Sequence, residues 1–238
     1  MNLLLIPEKQ STYQLSKKDP RLDHVRGILR LGLGDCFDIG VINGPLGKAT
    51  IIHIDELGLT LENTWLETPP ELPPIHLLIG LPRPATAQKI LTDATTLGAI
   101  GLHFFQAKKS DPAYAKSKLW QSEHYHQYLQ LGAEQAFSTH LPIVTINDSL
   151  ENAIQQLPAV SQRIALDVYE GTLRFGSIEK MIAPLAIAIG PERGWHQAER
   201  VLFREQQFQL AHFSERVLRV ETAVITALAI IQARLGFI

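Results

Sequence analysis

Between residues 75 and 189 the chain runs through short, continuous apolar segments separated by helix-length stretches. This rhythm constrains the fold more than any other feature of the sequence. IHLLIGLP, IGLHFFQA, LPIVTI, RIALDVY and LAIAIG each have the length of a strand and little polar alternation. A strand that is apolar on both faces must be covered on both, and strands that alternate with helices pair in parallel. The helix-like ATAQKILTDATTLGA follows the first run, and a longer helical stretch, SKLWQSEHYHQYLQLGAEQAF, follows the second. QFQLAHFS reads as the last strand and ETAVITALAIIQARLG as a closing helix with an apolar stripe at Ala223, Val224, Ala227, Leu228, Ile231 and Leu235. The expected class is α/β, built on a parallel sheet.

The stretch ETPPELPP interrupts this pattern from the N-terminal side. Pro69, Pro70, Pro73 and Pro74 stiffen it into an extended spacer, as a domain linker requires. We expect one domain over 1–68 and a second over 72–238. The N-terminal part reads as short strands, DCFDIGVING and KATIIHIDELGLTLEN, with Asn43-Gly44 and Gly47 as turn signals, which suits a small β-barrel. Within it, DPRLDHVRGILRLGLGD places Leu22, Val25, Ile28 and Leu29 at helical spacing before glycines end the helix.

With 238 residues, 45% hydrophobic and 19% charged, the chain has ample material for a core. A formal net charge of −2 gives no global attraction to nucleic acid, so any such contact must come from a local basic patch. The single cysteine, Cys36, allows no internal disulfide and suits a reducing compartment. The start, MNLLLIPEKQ, has no basic region ahead of its apolar run, and no run approaches the length of a spanning helix. The expectation is a cytoplasmic protein with no membrane partner.

In open parallel sheets, ligands sit outside the carboxyl ends of the strands. GPERGW (190–195) leaves one such end and SERVLR (214–219) leaves the next, both followed by helices whose first N–H groups lack partners. Gly190 and Gly194 let a ligand approach the main chain. The alternative is a plain strand-to-helix turn with surface charges. Glu221, in the first turn of the last helix, is favoured there by the helix dipole, with Arg219 as a surface partner. In a functional arrangement, Arg219 and Arg216 instead offer fixed cations to a phosphate or base.

IGPERGW, followed about two dozen residues later by RVLRVETAVITAL, resembles the paired C-terminal signatures of the RsmE family, SPOUT-class RNA methyltransferases. HVRGILRLGLGD resembles an N-terminal segment of the same family, and the similarity covers nearly the whole chain. The resemblance implies a trefoil-knotted C-terminal domain that binds S-adenosyl-L-methionine, a PUA-like RNA-binding barrel before it, and a homodimer formed through the knot domain. It further implies methylation at N3 of a uridine in small-subunit (16S) ribosomal RNA. The cofactor wall it points to comprises Leu166, Gly190, Pro191, Glu192, Gly194, Ser214, Val217 and Leu218. Arg219 would stabilise a deprotonated base and Glu221, or else Glu192, would accept its proton. Arg26, Arg30, Lys108 and Lys109 are the candidate RNA contacts, with Lys116 and Lys118 extending the cationic face.

The sequence departs from the family pattern where Arg193 replaces a glycine, where Ser214 and Glu215 replace a second, and where Ser138 and Thr139 stand in a region expected to be basic. Two alternatives follow from these departures: a paralogue acting on another RNA, or a knotted RNA-binding protein without catalysis. Cys36 lies outside the C-terminal domain, so a nitrogen or oxygen acceptor is favoured over a pyrimidine carbon, whose methylation usually needs a cysteine nucleophile. His124 and His126 stand two apart, which on a helix points them away from each other, so no metal site is expected.

Overall fold

The computed structural model describes residues 3–121 and 124–238, so Ser122 and Glu123 of the expected long helix lie outside the described residues. The chain divides into two units, Met1–Glu71 with Gln130–Leu141, and Leu72–Leu129 with Pro142–Ile238.

The first unit holds β1 (Leu4–Ile6), β2 (Thr12–Ser16), β3 (Cys36–Val41), β4 (Leu46–Ile54) and β5 (Gly58–Trp65) in one sheet of order β1-β3-β4-β5-β2. Only β1 and β3 are parallel; the other neighbours are antiparallel. A register shift between Ile51 and His53 marks a bulge, and the sheet curls into a half-barrel around Leu4, Ile6, Leu15, Ile39, Ile51 and Leu61. Residues 130–141 join this unit, although the sequence pattern placed them within 72–238. The cause is Glu134, which is 3% exposed and accepts the Leu5 N–H at 3.1 Å.

The helix expected over residues 22–29 is shorter and changes type. Asp19 caps α1 (Pro20–Asp23), and a π-helical turn, His24–Ile28, follows. The Leu29 N–H donates to the His24 carbonyl, a five-residue step that turns later positions off the inward stripe. Leu22 and Val25 are therefore buried, whereas Ile28 and Leu29 are exposed.

The second unit is built on a seven-stranded, wholly parallel sheet. Its elements are β6 (Ile75–Gly80), α2 (Pro84–Thr96), β7 (Gly101–Phe105), α3 (Pro112–Ala115), α4 (His126–Gln135), β8 (Ile143–Asn147), α5 (Leu150–Gln155), β9 (Gln162–Leu166), β10 (Leu173–Arg174), β11 (Leu185–Ile189), α6 (Gln197–Glu205), β12 (Gln209–His212) and α7 (Val220–Leu235). Residues of α4 from Gln130 onward count with the first unit. Of the helical run expected from residue 117, α4 takes up the part from His126 to Gln135. The strand order is β10-β12-β9-β11-β6-β7-β8. Every residue of β6, β7 and β11 is buried, as uninterrupted apolar runs require. β8 was expected to be buried as well, but it is an edge strand with one neighbour, and Ile143 and Ile146 are exposed.

The left half of this sheet has an unusual connection. β9 and β10 follow each other in the chain, yet β12 lies between them. The segment 167–184 leaves β9, forms β10 on the far side of β12, and returns to β11 on the other side of β9. Gly171 sits at the crossing. A Cβ there would lie 2.4 Å from the Asp167 carbonyl oxygen and 2.6 Å from the Ala211 carbonyl carbon, so no larger residue fits. The Thr172 N–H donates to the Leu210 carbonyl at 3.2 Å, tying the segment to β12. Beyond β12 the chain returns as α7, which packs on α2, and the Gln232 amide donates to the Leu97 carbonyl. Among the described residues, no helix is long and apolar enough to cross a membrane.

Candidate active site

The carboxyl ends of β9, β11 and β12 and the first turns of α2 and α7 surround a cavity of about 860 Å³. That is within the range of small-molecule and cofactor sites. Leu166, Gly190, Pro191, Glu192, Gly194, Ser214, Val217, Leu218, Arg219 and Glu221, all singled out from the sequence, line it together.

Each wall has a local reason. β11 ends at Ile189, and the chain turns back at Gly190, where a Cβ would meet the Gly194 Cα at 3.3 Å and the Trp195 ring at 3.4 Å. Gly194 has φ +64, and its N–H closes the turn on the Pro191 carbonyl at 2.8 Å. Trp195 is 1% exposed, and its indole N–H donates to the Leu166 carbonyl at 2.8 Å, which links the ends of β9 and β11. The third wall is the loop from Ser214 to Arg219, where the Ser214 hydroxyl accepts the Arg216 N–H at 3.1 Å. Arg219 is the N-cap of α7 and makes no side-chain cap bond. The cavity thus has narrow main-chain walls of the kind that cradle a flat, polar ligand, and cations at its rim.

Two ion contacts set the electrostatics. The Glu192 carboxylate accepts the Arg83 main-chain N–H at 3.0 Å, and the Arg83 guanidinium is held charged chiefly by its hydrogen bond to Tyr114, with Glu192 adding to this. Glu221 pairs with Lys89 on α2 at 3.6 Å, and not with Arg219, the surface partner expected from the sequence. Arg219 sits at the helix cap with its side chain exposed, so the pairing expected along the chain yields to one across helices. Asp93, one turn beyond Lys89, has its carboxyl pushed up by burial and by Glu221, against the pull of Lys89.

An RNA methyltransferase domain model matches residues 70–232, which takes in every wall of this cavity. A ribosomal RNA small subunit methyltransferase E from Treponema pallidum is 35% identical over 98% of this chain and 91% of its own. The chain belongs to the RsmE family. An RsmE protein from Borreliella burgdorferi is 27% identical over 99% of each chain. The crystal structure of a Neisseria gonorrhoeae RsmE bound to S-adenosyl methionine superposes with a TM-score of 0.81 at 20% identity, covering 98% of this chain and 97% of that one. This chain therefore has the RsmE fold, a parallel α/β sheet joined to a curled half-barrel.

Of the departures from the RsmE pattern, Arg193 and Ser214 line the cavity, whereas Ser138 and Thr139 belong to the first unit, where the buried Thr139 hydroxyl donates to the Gly44 carbonyl at 2.8 Å. Arg193 is exposed, and its carbonyl accepts from the Lys109 ammonium at 3.4 Å. Ser214 serves its own loop through the bond to Arg216. Lys108 and Lys109 lie outside the cavity lining, where the Lys108 N–H donates to the buried Glu199 carboxylate at 2.9 Å. Arg26 and Arg30 belong to the first unit and are exposed.

Several lining residues carried no sequence signal. Arg83 and Lys89 come from the first turns of α2, far from both signatures. Asp167 and Tyr169 follow β9, and Trp195 lay within the first signature without a role. Asp167 is 5% exposed and takes a bidentate bond from Arg200, with Nε to Oδ2 at 2.5 Å and the second nitrogen to Oδ1 at 3.2 Å. That bond holds the Arg200 guanidinium charged. His126 opens α4, its ring stacked on Tyr125 at 4.4 Å. Among the described residues, no three His, Cys, Asp or Glu side chains are grouped to hold a metal ion.

Proposed function

We propose that this RsmE protein is an S-adenosyl-L-methionine-dependent methyltransferase acting at N3 of a uridine in 16S ribosomal RNA, and that it works in the cytoplasm as a homodimer formed through its second unit, the parallel-sheet domain. The observation that carries the reading is the single cavity lined by both C-terminal signatures. The tight Gly190 turn and the Leu166 and Ser214–Leu218 walls suit an adenosine moiety, because flat rings pack against main chain where side chains are excluded. When bound, the cofactor supplies a methyl group on a sulfonium. The protein's task is then to align the acceptor nitrogen, exclude water and manage one proton.

Arg219 stands at the rim, where its cation stabilises the negative charge that a uracil ring develops on losing its N3 proton. Glu192 and Glu221 both line the cavity, and Glu221, two residues beyond Arg219, is the group assigned to take that proton. Lys89 holds the Glu221 carboxylate on the cavity wall. The cationic rim and the exposed Arg26, Arg30, Lys108 and Lys109 would contact the RNA backbone. The passage of β12 between β9 and β10 supports a trefoil knot, a rare topology in which the loop 167–184 encloses the C-terminal segment.

The alternative of a non-catalytic RNA-binding protein rests on Arg193 and Ser214, which both line the cavity. The deciding experiment incubates the protein with methyl-labelled cofactor and small subunits lacking the modification. Label at a single uridine N3 is expected. Label at another nucleotide would favour a different RNA target, and no label with no cofactor binding in calorimetry would reject the enzyme.

A further inference from the structure

Immediately after β9, the chain commits a buried ion pair to a short turn. Asp167 and Arg200 form their bidentate pair with side chains only 2% and 11% exposed. Desolvating two charges is costly and is repaid only by good geometry. Here the pair is joined by further bonds that fix the turn. The Asp167 Oδ1 accepts the Tyr169 N–H at 3.0 Å, the Asp167 N–H donates to the Ala211 carbonyl at 2.8 Å, and the Asp167 carbonyl accepts the Gly171 N–H at 3.0 Å. Glu170 adds contacts to Arg200 at 3.7 Å and to Arg204 at 2.5 Å.

The residue this scaffold presents is Tyr169. It lines the cavity, yet it is 76% exposed. Its ring centroid lies 5.8 Å from the Arg200 guanidinium carbon, so the ring rests against a fixed cation. An aromatic ring backed by a fixed cation and open to solvent at a cavity mouth has the form of a stacking platform for a single-stranded base. Arginine and lysine side chains at the rim recognise phosphate; an aromatic ring recognises the flat face of a heterocycle.

Resting on the RNA methyltransferase reading above, we propose that Tyr169 stacks on an unpaired nucleobase of the substrate RNA at the cavity mouth, and that Arg200, acting through Asp167, is its positioning residue. The exposure of the ring favours an arriving base over the adenine of the cofactor, which the inner walls would enclose.

The test measures binding of a fluorescein-labelled single-stranded oligouridine by anisotropy, and of S-adenosylhomocysteine by calorimetry, to the full chain. Tyr169→Ala should weaken oligouridine binding about tenfold, as loss of one base–aromatic stack does. Tyr169→Phe and Tyr169→Trp should stay within about twofold of the wild type, since either ring can stack. The slope of log affinity against log salt should be the same in all four proteins, because no phosphate contact is lost. Arg200→Lys, which keeps the charge and removes the fork, should weaken oligouridine binding in the same direction.

Wild-type affinity in Tyr169→Ala would overturn the proposal. So would a Tyr169→Phe protein as weak as Tyr169→Ala, which would assign the effect to the hydroxyl. A loss of S-adenosylhomocysteine affinity with unchanged oligouridine binding would also overturn it, placing the ring on the cofactor. Failure of the wild type to bind S-adenosylhomocysteine would count against the methyltransferase reading and leave the oligouridine comparison to stand separately.

Discussion

The indole Nε1 of Trp195 donates to the main-chain carbonyl of Leu166 across 2.8 Å, joining the ends of two adjacent strands 29 residues apart. Phe203 packs edge-on against the same indole at 4.8 Å, so the ring has no freedom to turn away. This contact fixes the spacing of the Leu166 and Gly190 walls. Trp195→Phe keeps most of the packing and removes the donor. A net loss near 1 kcal/mol, or about fivefold in S-adenosylhomocysteine affinity by calorimetry, is expected, with an unchanged far-ultraviolet circular dichroism spectrum. Unaltered affinity would free the wall spacing from this bond.

Arg219→Ala is expected to lower methyl transfer at least about a hundredfold, the scale for removing one donor to developing charge. The residue is an exposed cap with no side-chain bond to the helix, so the melting temperature should hold. Wild-type turnover in this variant would remove Arg219 from the reaction.

Gly171→Ala tests the crossing of the loop over β12. The added methyl would meet backbone on both sides, at 2.4 Å and 2.6 Å, and backbone cannot rotate away as a side chain does. A destabilisation of about 1–3 kcal/mol by urea denaturation is expected, as for other overpacked sites. A neutral substitution would show that the loop and strand separate easily.

Arg200→Met leaves the Asp167 carboxylate buried without its partner, which costs about 3–5 kcal/mol in comparable sites. The double variant with Asp167→Asn should recover part of that loss, because no uncompensated charge remains. Equal stability of the single and double variants, measured by denaturant titration, would show that the pair is not coupled.

A pH dependence follows from the core of the sheet. His76 Nδ1 lies 3.2 Å from His103 Nε2, and His103 Nδ1 lies 3.0 Å from the Thr145 hydroxyl. Burial, with His76 adding to it, pushes His103 down to about 4, and burial lowers His76 as well. The unfolded chain therefore binds protons before the folded one does. The stability is complete above about pH 6.5 and is lost as the pH falls towards 4, with His103 contributing about 3 kcal/mol. The melting temperature of the wild type should drop over this interval, and His103→Gln should flatten the drop. A flat wild-type profile would contradict the neutral pair.

The strands of the parallel sheet were legible because apolar runs such as LAIAIG and IHLLIGLP have nowhere to go but a doubly covered layer. The two signature loops were legible for a related reason: Gly190 and Gly194 mark a tight turn, with Gly194 at positive φ, and the turn follows a strand end. The helix over 22–29 was misjudged because periodicity does not report a five-residue hydrogen bond, and that bond carried Ile28 and Leu29 out to solvent.

The sequence by itself determined the alternation of elements, the buried strands and the two motifs that bound the cavity, since each depends on neighbours along the chain. Only the tertiary structure decided which distant residues meet there. Lys89 opposite Glu221, Arg200 beneath Asp167 and β12 between β9 and β10 depend on strand order and helix packing, and local spacing carries no record of either. The chemistry of the walls is written in the motifs, but the charges that tune them arrive from elements far away in sequence.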